Sequence, residues 1–159
     1  MNKISIILIT ISLVLVGCKQ QPKEDNVSKI NEVEASKPHA KTSQKSNDWM
    51  QEIKLNGRAK WKANPETNIG VAKMQSIFTS NSPKELKDFH LIAEELNMHK
   101  NYVIQECTMK GASHDNLHIW LLPLIEEIEA LKKAGTVAEA HEIYTNIELS
   151  VNAYSLYFE

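Results

Sequence analysis

The chain has 159 residues, a formal net charge of −2 and 24% charged residues. This balance argues against a nucleic-acid-binding surface, which needs a concentrated excess of Lys and Arg. The sequence contains only five Gly and five Pro, so few of its residues interrupt helices. Length and composition together favour one helical domain behind a shorter segment of different character.

The first 17 residues have the features of a secretion signal. Lys3 supplies a positive charge, and the 13 residues Ile4 to Val16 are almost wholly apolar, too few for a membrane-spanning helix of roughly 20 residues. The stretch ends in Leu15-Val16-Gly17-Cys18 and resembles the lipobox of bacterial lipoproteins. The resemblance implies that residues 1–17 are removed and that Cys18 carries lipid, including palmitate. A secreted protein with an unlipidated Cys18 is the alternative.

Residues 18–46 continue from this cysteine as a polar linker. They are rich in Lys, Gln, Ser and Glu and have no large apolar cluster, which is typical of a disordered tether. The domain would then comprise residues 47–159. We expect it to lie in the cell envelope, in the periplasm or exposed, held by lipid at the outer membrane or at the outer leaflet of the cytoplasmic membrane.

Helix signals follow from residue 48. Residues 48–55 are expected to form either a short helix or an entry segment that packs Trp49 and Ile53. Asn64-Pro65-Glu66 has the N-cap, proline and acid of a helix start, predicting a helix over residues 65–79. Ser82 and Glu85 have the spacing of a capping box, predicting a second helix to about Lys110, with Gly111 at the position after its end.

Two further helices are predicted after Gly111. Ser113 is expected to cap the third, Pro123 to kink or split it, and Gly135 to end it. Thr136 and Glu139 form another capping box, which starts the fourth. Connections this short make consecutive helices antiparallel. The predicted fold is therefore all-α, an up-down-up-down four-helix bundle. The apolar positions expected in its core include Val71, Met74, Phe78, Leu86, Phe89, Ala93, Leu96, Val103, Leu117, Leu121, Leu124, Ile128, Leu131, Ala140, Tyr144, Ile147, Val151, Tyr154 and Phe158.

The residues with metal-binding chemistry concentrate between the second and third predicted helices. Cys107, Met109, His114 and His118 fall within twelve residues. His114 and His118 are four apart, so both imidazoles leave one face of a helix. Cys107 is expected about one turn before the end of its helix, level with the two rings. Thiolate, thioether and imidazole together suit copper as Cu(I), or zinc.

Two other interpretations of this segment remain open. Cys107 can be a small buried core residue, with His114 solvated and His118 partly buried. It can also be a thiol activated by a neighbouring histidine. The sequence shows no oxyanion arrangement, so we do not expect an enzyme. Since Cys18 is expected to carry lipid, Cys107 would be the only free thiol of the mature chain.

Two segments of the chain resemble a group of small bacterial envelope lipoproteins with helical-bundle domains. The first is Cys107-Thr-Met-Lys-Gly111 with His114, Leu117-His118 and Leu122-Pro123; the second is Lys60-Trp-Lys-Ala-Asn-Pro-Glu-Thr67 with Gly70 and Met74. The resemblance implies a single domain over residues 48–159 and a suspected metal or haem role. We expect the two segments to meet in space, with Asn64, Glu66 or Trp61 as outer partners of the Cys/His cluster.

A second, weaker constellation consists of Met74 and His141, which an up-down bundle would place at one level. A Met on the first helix and a His on the last resemble the ligands of cytochrome b562-like bundles, which implies a noncovalent haem. His90 could join them as a ligand of a second soft-metal site. The sequence thus predicts, first, an envelope lipoprotein that binds copper or zinc. The alternatives are a non-catalytic interaction module that docks on an envelope protein, and a b-type haem protein.

Overall fold

The computed structural model describes residues 47–159, and within them all regular secondary structure is helical. The helices are α1 (Trp49–Glu52), α2 (Pro65–Ser80), α3 (Leu86–Glu106), α4 (Ala112–Lys133) and α5 (Val137–Tyr157). The predictions for the signal, for Cys18 and for the tether concern residues 1–46, which lie outside the described part. The prediction of an all-α domain is confirmed.

Apolar spacing explains how the helices pack. Consecutive long helices contact one another, α5 also contacts α2 and α3, and α1 packs on α4. The apolar residues expected to face the core are buried, apart from a half-buried Leu86, and Trp49 and Ile53 are buried as well. The predicted set omitted Trp120, which is fully buried and donates its indole N–H to the Ser150 carbonyl at 3.0 Å.

The start of α3 differs from the prediction. Glu85, and not Ser82, is the N-cap residue: its side chain accepts from the Asp88 backbone N–H, and the Asp88 carboxylate accepts from the Glu85 N–H. Asp88 also accepts from the Lys84 N–H at 3.0 Å, and these backbone hydrogen bonds hold its pKa below the ordinary value. The charged Asp88 carboxylate thus accepts from the N–H groups of Lys84 and Glu85, which have no helical partner, and this explains why the helix begins three residues later than predicted.

The connection between α3 and α4 also differs. α3 ends at Glu106, four residues before the predicted end, and Cys107 adopts an extended conformation with φ −67° and ψ 116°. Gly111 does not end α3; it is the N-cap residue of α4, with φ 62°, a backbone conformation that glycine adopts without strain. Ser113 lies inside α4 and donates its hydroxyl to the Lys110 carbonyl at 3.2 Å, so it is not the cap.

The later helix boundaries agree with expectation. α4 continues without interruption through Pro123, so the proline does not split it. Thr136 caps α5 by accepting from the Glu139 N–H. The Glu139 carboxylate accepts in turn from the Gly135 N–H at 2.9 Å, one residue earlier than a capping box requires. Two side chains, those of Thr136 and Glu139, therefore hold the backbone at the start of α5.

Candidate functional site

The candidate site lies where α3 ends and α4 begins. Cys107 to Lys110 form a short non-helical segment, followed by Gly111 at its positive φ. Cys107 and Met109 are both half-buried and pack against the hydrophobic core. Their side chains therefore leave the backbone towards the helices and not wholly into solvent.

The two histidines on the first turns of α4 lie together, as their spacing predicts. The rings of His114 and His118 have centroids 4.3 Å apart and are inclined at 54°. His114 is half-buried and His118 is exposed. Two neighbouring imidazoles, one of them exposed to solvent, can offer two nitrogen ligands to a metal ion that arrives from solution.

Asn64, at the start of α2, connects the two segments of the resemblance. Its amide Nδ2 donates to the Glu106 carbonyl at 3.0 Å, and its Oδ1 accepts from the Thr108 N–H at 3.4 Å. These backbone groups lie on either side of Cys107. The same amide donates to Glu66 Oε2 at 2.8 Å and accepts from the Thr67 hydroxyl at 2.7 Å. The expectation that the two segments meet in space is confirmed.

The carboxylate of Glu66 is tied into the same network. Hydrogen bonds from the Asn64 amide, and then from its own backbone N–H, hold the pKa of Glu66 below its ordinary value. Thr67 is fully buried, with its hydroxyl directed to Asn64. A charged acceptor and a buried hydroxyl fix the orientation of the Asn64 amide, since its donors and acceptors are not interchangeable.

Cys107 lies near Tyr154 of α5. Burial, and after it a charge interaction with Cys107, raises the pKa of Tyr154 well above its ordinary value. The Tyr154 hydroxyl donates to Asn68 Oδ1 at 2.8 Å. Tyr154 was predicted only as a core residue; its position beside the thiol depends on how α5 packs across α2 and α3, which periodicity does not show.

Trp61 forms hydrogen bonds with residues 157 and 159. Within residues 47–159 it forms none with Cys107, Met109, His114 or His118. Its N–H donates to the Tyr157 carbonyl at 2.7 Å and its carbonyl accepts from the Glu159 N–H at 2.9 Å. The indole donates to the Lys54 carbonyl at 2.6 Å. Ala63 N–H donates to the Glu159 carbonyl at 2.9 Å. Trp61 thus joins three separate parts of the domain.

The second constellation is dispersed over different environments. Met74 is fully buried in the core. His90 Nε2 lies 3.0 Å from the Ala134 carbonyl oxygen, so that nitrogen carries the proton and donates. His141 is exposed, with its ring 6.2 Å from that of Phe89. Phe89 and Tyr144, whose centroids are 5.7 Å apart, fill the neighbouring interior, where a haem would have to displace them.

Within residues 47–159 no three His, Cys, Asp or Glu side chains are grouped so that they could hold a metal ion. The structure therefore brings His114 and His118 together but does not gather them with Cys107 into a three-residue set. No helix in the same part of the chain has the length and apolar character needed to cross a membrane.

Comparisons with protein-family models, with curated proteins and with solved structures find no match to the chain. The candidate site therefore depends on its own residues and their geometry.

Proposed function

We propose that the domain binds a soft metal ion, Cu(I) or Zn(II), at the junction of α3 and α4. The observation that carries the proposal is the His114–His118 ring pair, 4.3 Å between centroids. Two imidazoles at this spacing supply two of the ligands that copper and zinc prefer. The site residues are Cys107, His114 and His118, with Met109 as an optional fourth ligand.

The cysteine would complete the site from the adjoining turn. Cys107 lies outside the helix, seven residues before His114, so its sulfur is not constrained by helical geometry. In the proposed bound state the Cys107 sulfur turns towards the two rings. A thiolate ligand would favour Cu(I) or Zn(II) over metals that prefer oxygen ligands. Met74, His90 and His141 give a weaker second site because Met74 is enclosed in the core.

The proposed setting is the bacterial cell envelope. Cys18 would be lipidated after removal of residues 1–17, and residues 18–46 would tether an up-down-up-down four-helix bundle to the membrane. There the domain would act as a metal buffer, sensor accessory or carrier, without catalysis. Metabolic labelling with a palmitate analogue checks the anchor: the label should enter the wild-type chain and be absent from Cys18→Ala.

An interaction module of the envelope is the second candidate, favoured by exposed apolar side chains. Leu149 and Leu156 are seven residues apart on α5, and are 53% and 61% exposed. Leu91 and Met98 have the same spacing on α3 and are 60% and 57% exposed. Residues seven apart share a helix face, so each pair can contribute to a docking surface for an envelope protein.

Metal titration separates the two candidates. The full-length chain, purified reduced in detergent, is titrated with Cu(I) and Zn(II) in competition with a chelator. Binding of one equivalent should be lost in His118→Ala and in Cys107→Ser and retained in the matched control His141→Ala. Equal, weak binding by all four proteins would refute the metal site, and loss in His141→Ala alone would indicate the second constellation. A Soret band after haem addition would favour the haem alternative.

A further inference from the structure

Asn64 occupies the N-cap position of α2, yet its side chain does not cap that helix. Asparagine is favoured at this position because its side-chain oxygen accepts from an N–H of the first turn, which contributes about 1 kcal/mol. Here the same oxygen accepts from the Thr67 hydroxyl and from the Thr108 N–H. The capping interaction is replaced by contacts to a segment more than forty residues later in the chain.

The amide contacts Cys107 from both sides through the backbone. The Glu106 carbonyl, just before the cysteine, accepts from Asn64 Nδ2, and the Thr108 N–H, just after it, donates to Asn64 Oδ1. This pairing fixes both backbone dihedrals of Cys107, because a donor and an acceptor are held on either side of its Cα. It also satisfies one of the carbonyls that the end of α3 leaves without a helical partner.

We infer that Asn64 is the positioning residue of Cys107: by holding the backbone on either side of the cysteine, it sets where the thiol lies at the end of α3. The purpose of this role depends on the proposed metal site, but the positioning itself does not. Glu66 and Thr67 keep the amide in one orientation by accepting from Nδ2 and donating to Oδ1. Loss of the amide would therefore free the thiol without removing any proposed ligand.

The test uses the full-length chain with Cys18→Ser, so that Cys107 is its only thiol. The first arm is metal-free: the rate at which an aromatic disulfide reagent modifies Cys107 is measured at one pH under native conditions. We expect Asn64→Ala to react about fivefold faster than wild type, the factor that corresponds to about one lost hydrogen bond. The matched control is Asn81→Ala, whose amide donates to the Ile77 carbonyl at the other end of α2.

The second arm uses Co(II) as a spectroscopic probe. Wild type and Asn81→Ala should show a thiolate-to-cobalt charge-transfer band, and Asn64→Ala should show a weaker band at equal cobalt. If Asn64→Ala does not fold, Asn64→Asp is the second variant. It removes the donations to the Glu106 carbonyl and to Glu66 and keeps an oxygen for the Thr108 N–H, and its thiol should also react faster than that of wild type.

The outcomes distinguish the two proposals. An equal modification rate in Asn64→Ala and wild type, or an equal acceleration in Asn81→Ala, would overturn the positioning role. Where wild type shows a cobalt band, a band of equal strength in a folded Asn64→Ala would also overturn it. A faster thiol in Asn64→Ala with no cobalt band in wild type would support the positioning role and refute the metal site.

Discussion

Gly70 lies at a close approach of α2 to α3. A Cβ atom there would lie 2.5 Å from Val103 Cγ2, 3.3 Å from Tyr102 Cδ1 and 3.4 Å from the His99 carbonyl oxygen. Val103 is fully buried and β-branched, so its methyl group has little freedom to move away. Glycine at this position therefore sets the distance between the helices that carry Asn64 and Cys107.

Gly70→Ala should destabilise the domain by about 1–3 kcal/mol, because overpacking outweighs the gain in helix propensity of about 1 kcal/mol. The measurement is chemical denaturation followed by circular dichroism. Gly135→Ala is the matched control: its added Cβ would meet only Glu139 Oε2, at 3.9 Å. The control should change stability by less than about 0.5 kcal/mol. Equal stability of Gly70→Ala and wild type would contradict the close approach.

Tyr154 couples stability to alkaline pH. Its pKa is raised in the folded domain by burial and by Cys107, whereas the unfolded value is about 10. The neutral Tyr154 hydroxyl therefore makes its full contribution to the free energy of unfolding below pH about 10. This contribution is lost as the pH rises towards the pKa of Tyr154 in the folded domain. Tyr154→Phe loses the hydrogen bond to Asn68, which costs about 1–2 kcal/mol at neutral pH.

The stability difference between wild type and Tyr154→Phe should accordingly shrink above pH about 10. Urea unfolding of both proteins at a series of pH values measures it. A difference that stays constant through this range would show that the hydroxyl titrates alike in the folded and unfolded states.

Helix starts are set by which side chain accepts from the orphan N–H groups. Thr136 accepts from the Glu139 N–H at 3.2 Å, whereas exposed Ser82 precedes α3 by four residues and does not cap it. Thr136→Ala should therefore lower stability by about 1 kcal/mol, and Ser82→Ala should change it by less than about 0.5 kcal/mol. Thermal unfolding of the two variants compares them directly. A larger loss in Ser82→Ala would restore the predicted capping box.

The sequence predicts the helices more completely than it predicts the contacts of the candidate site. Apolar spacing identified the four long helices, and nearly all of the positions that it placed in the core are buried, because burial of a stripe dominates the energetics. It missed other buried positions, among them Ile92, Trp120 and Ile143. It misplaced the boundaries at Ser82, Lys110 and Ser113, where several polar residues compete for the same backbone groups. The His114–His118 pair follows from helical spacing. The meeting of the Asn64 and Cys107 segments was expected, whereas the individual hydrogen bonds of Asn64 and the interaction of Tyr154 with Cys107 join distant segments that no local pattern specifies.

At the scale of the whole domain, residues 61–63 and 157–159 join its beginning to its end. Phe158 is 2% exposed and stacks on Tyr154 with centroids 4.8 Å apart and planes 14° apart. Its backbone N–H continues the α5 pattern to the Tyr154 carbonyl at 3.0 Å. The C-terminal residues are therefore part of the core and of the backbone pairing with Trp61.

Phe158→Ala should destabilise the domain by about 3 kcal/mol, since a buried aromatic side chain is removed. Leu156→Ala, two residues earlier and 61% exposed, is the control and should stay within about 0.5 kcal/mol of wild type. Guanidinium denaturation measures the free energy of unfolding of both variants. Similar losses in the two would mean that the C-terminal turn contributes little to the core.

The pairing of Trp61 with residues 157 and 159 also determines when the domain can be completed during synthesis. A ribosome produces residues 61–63 long before their partners, so this contact forms only after α5 has emerged. Contacts between residues so far apart in sequence slow folding. The domain can therefore close only once residues 157–159 have been synthesised and have left the ribosome.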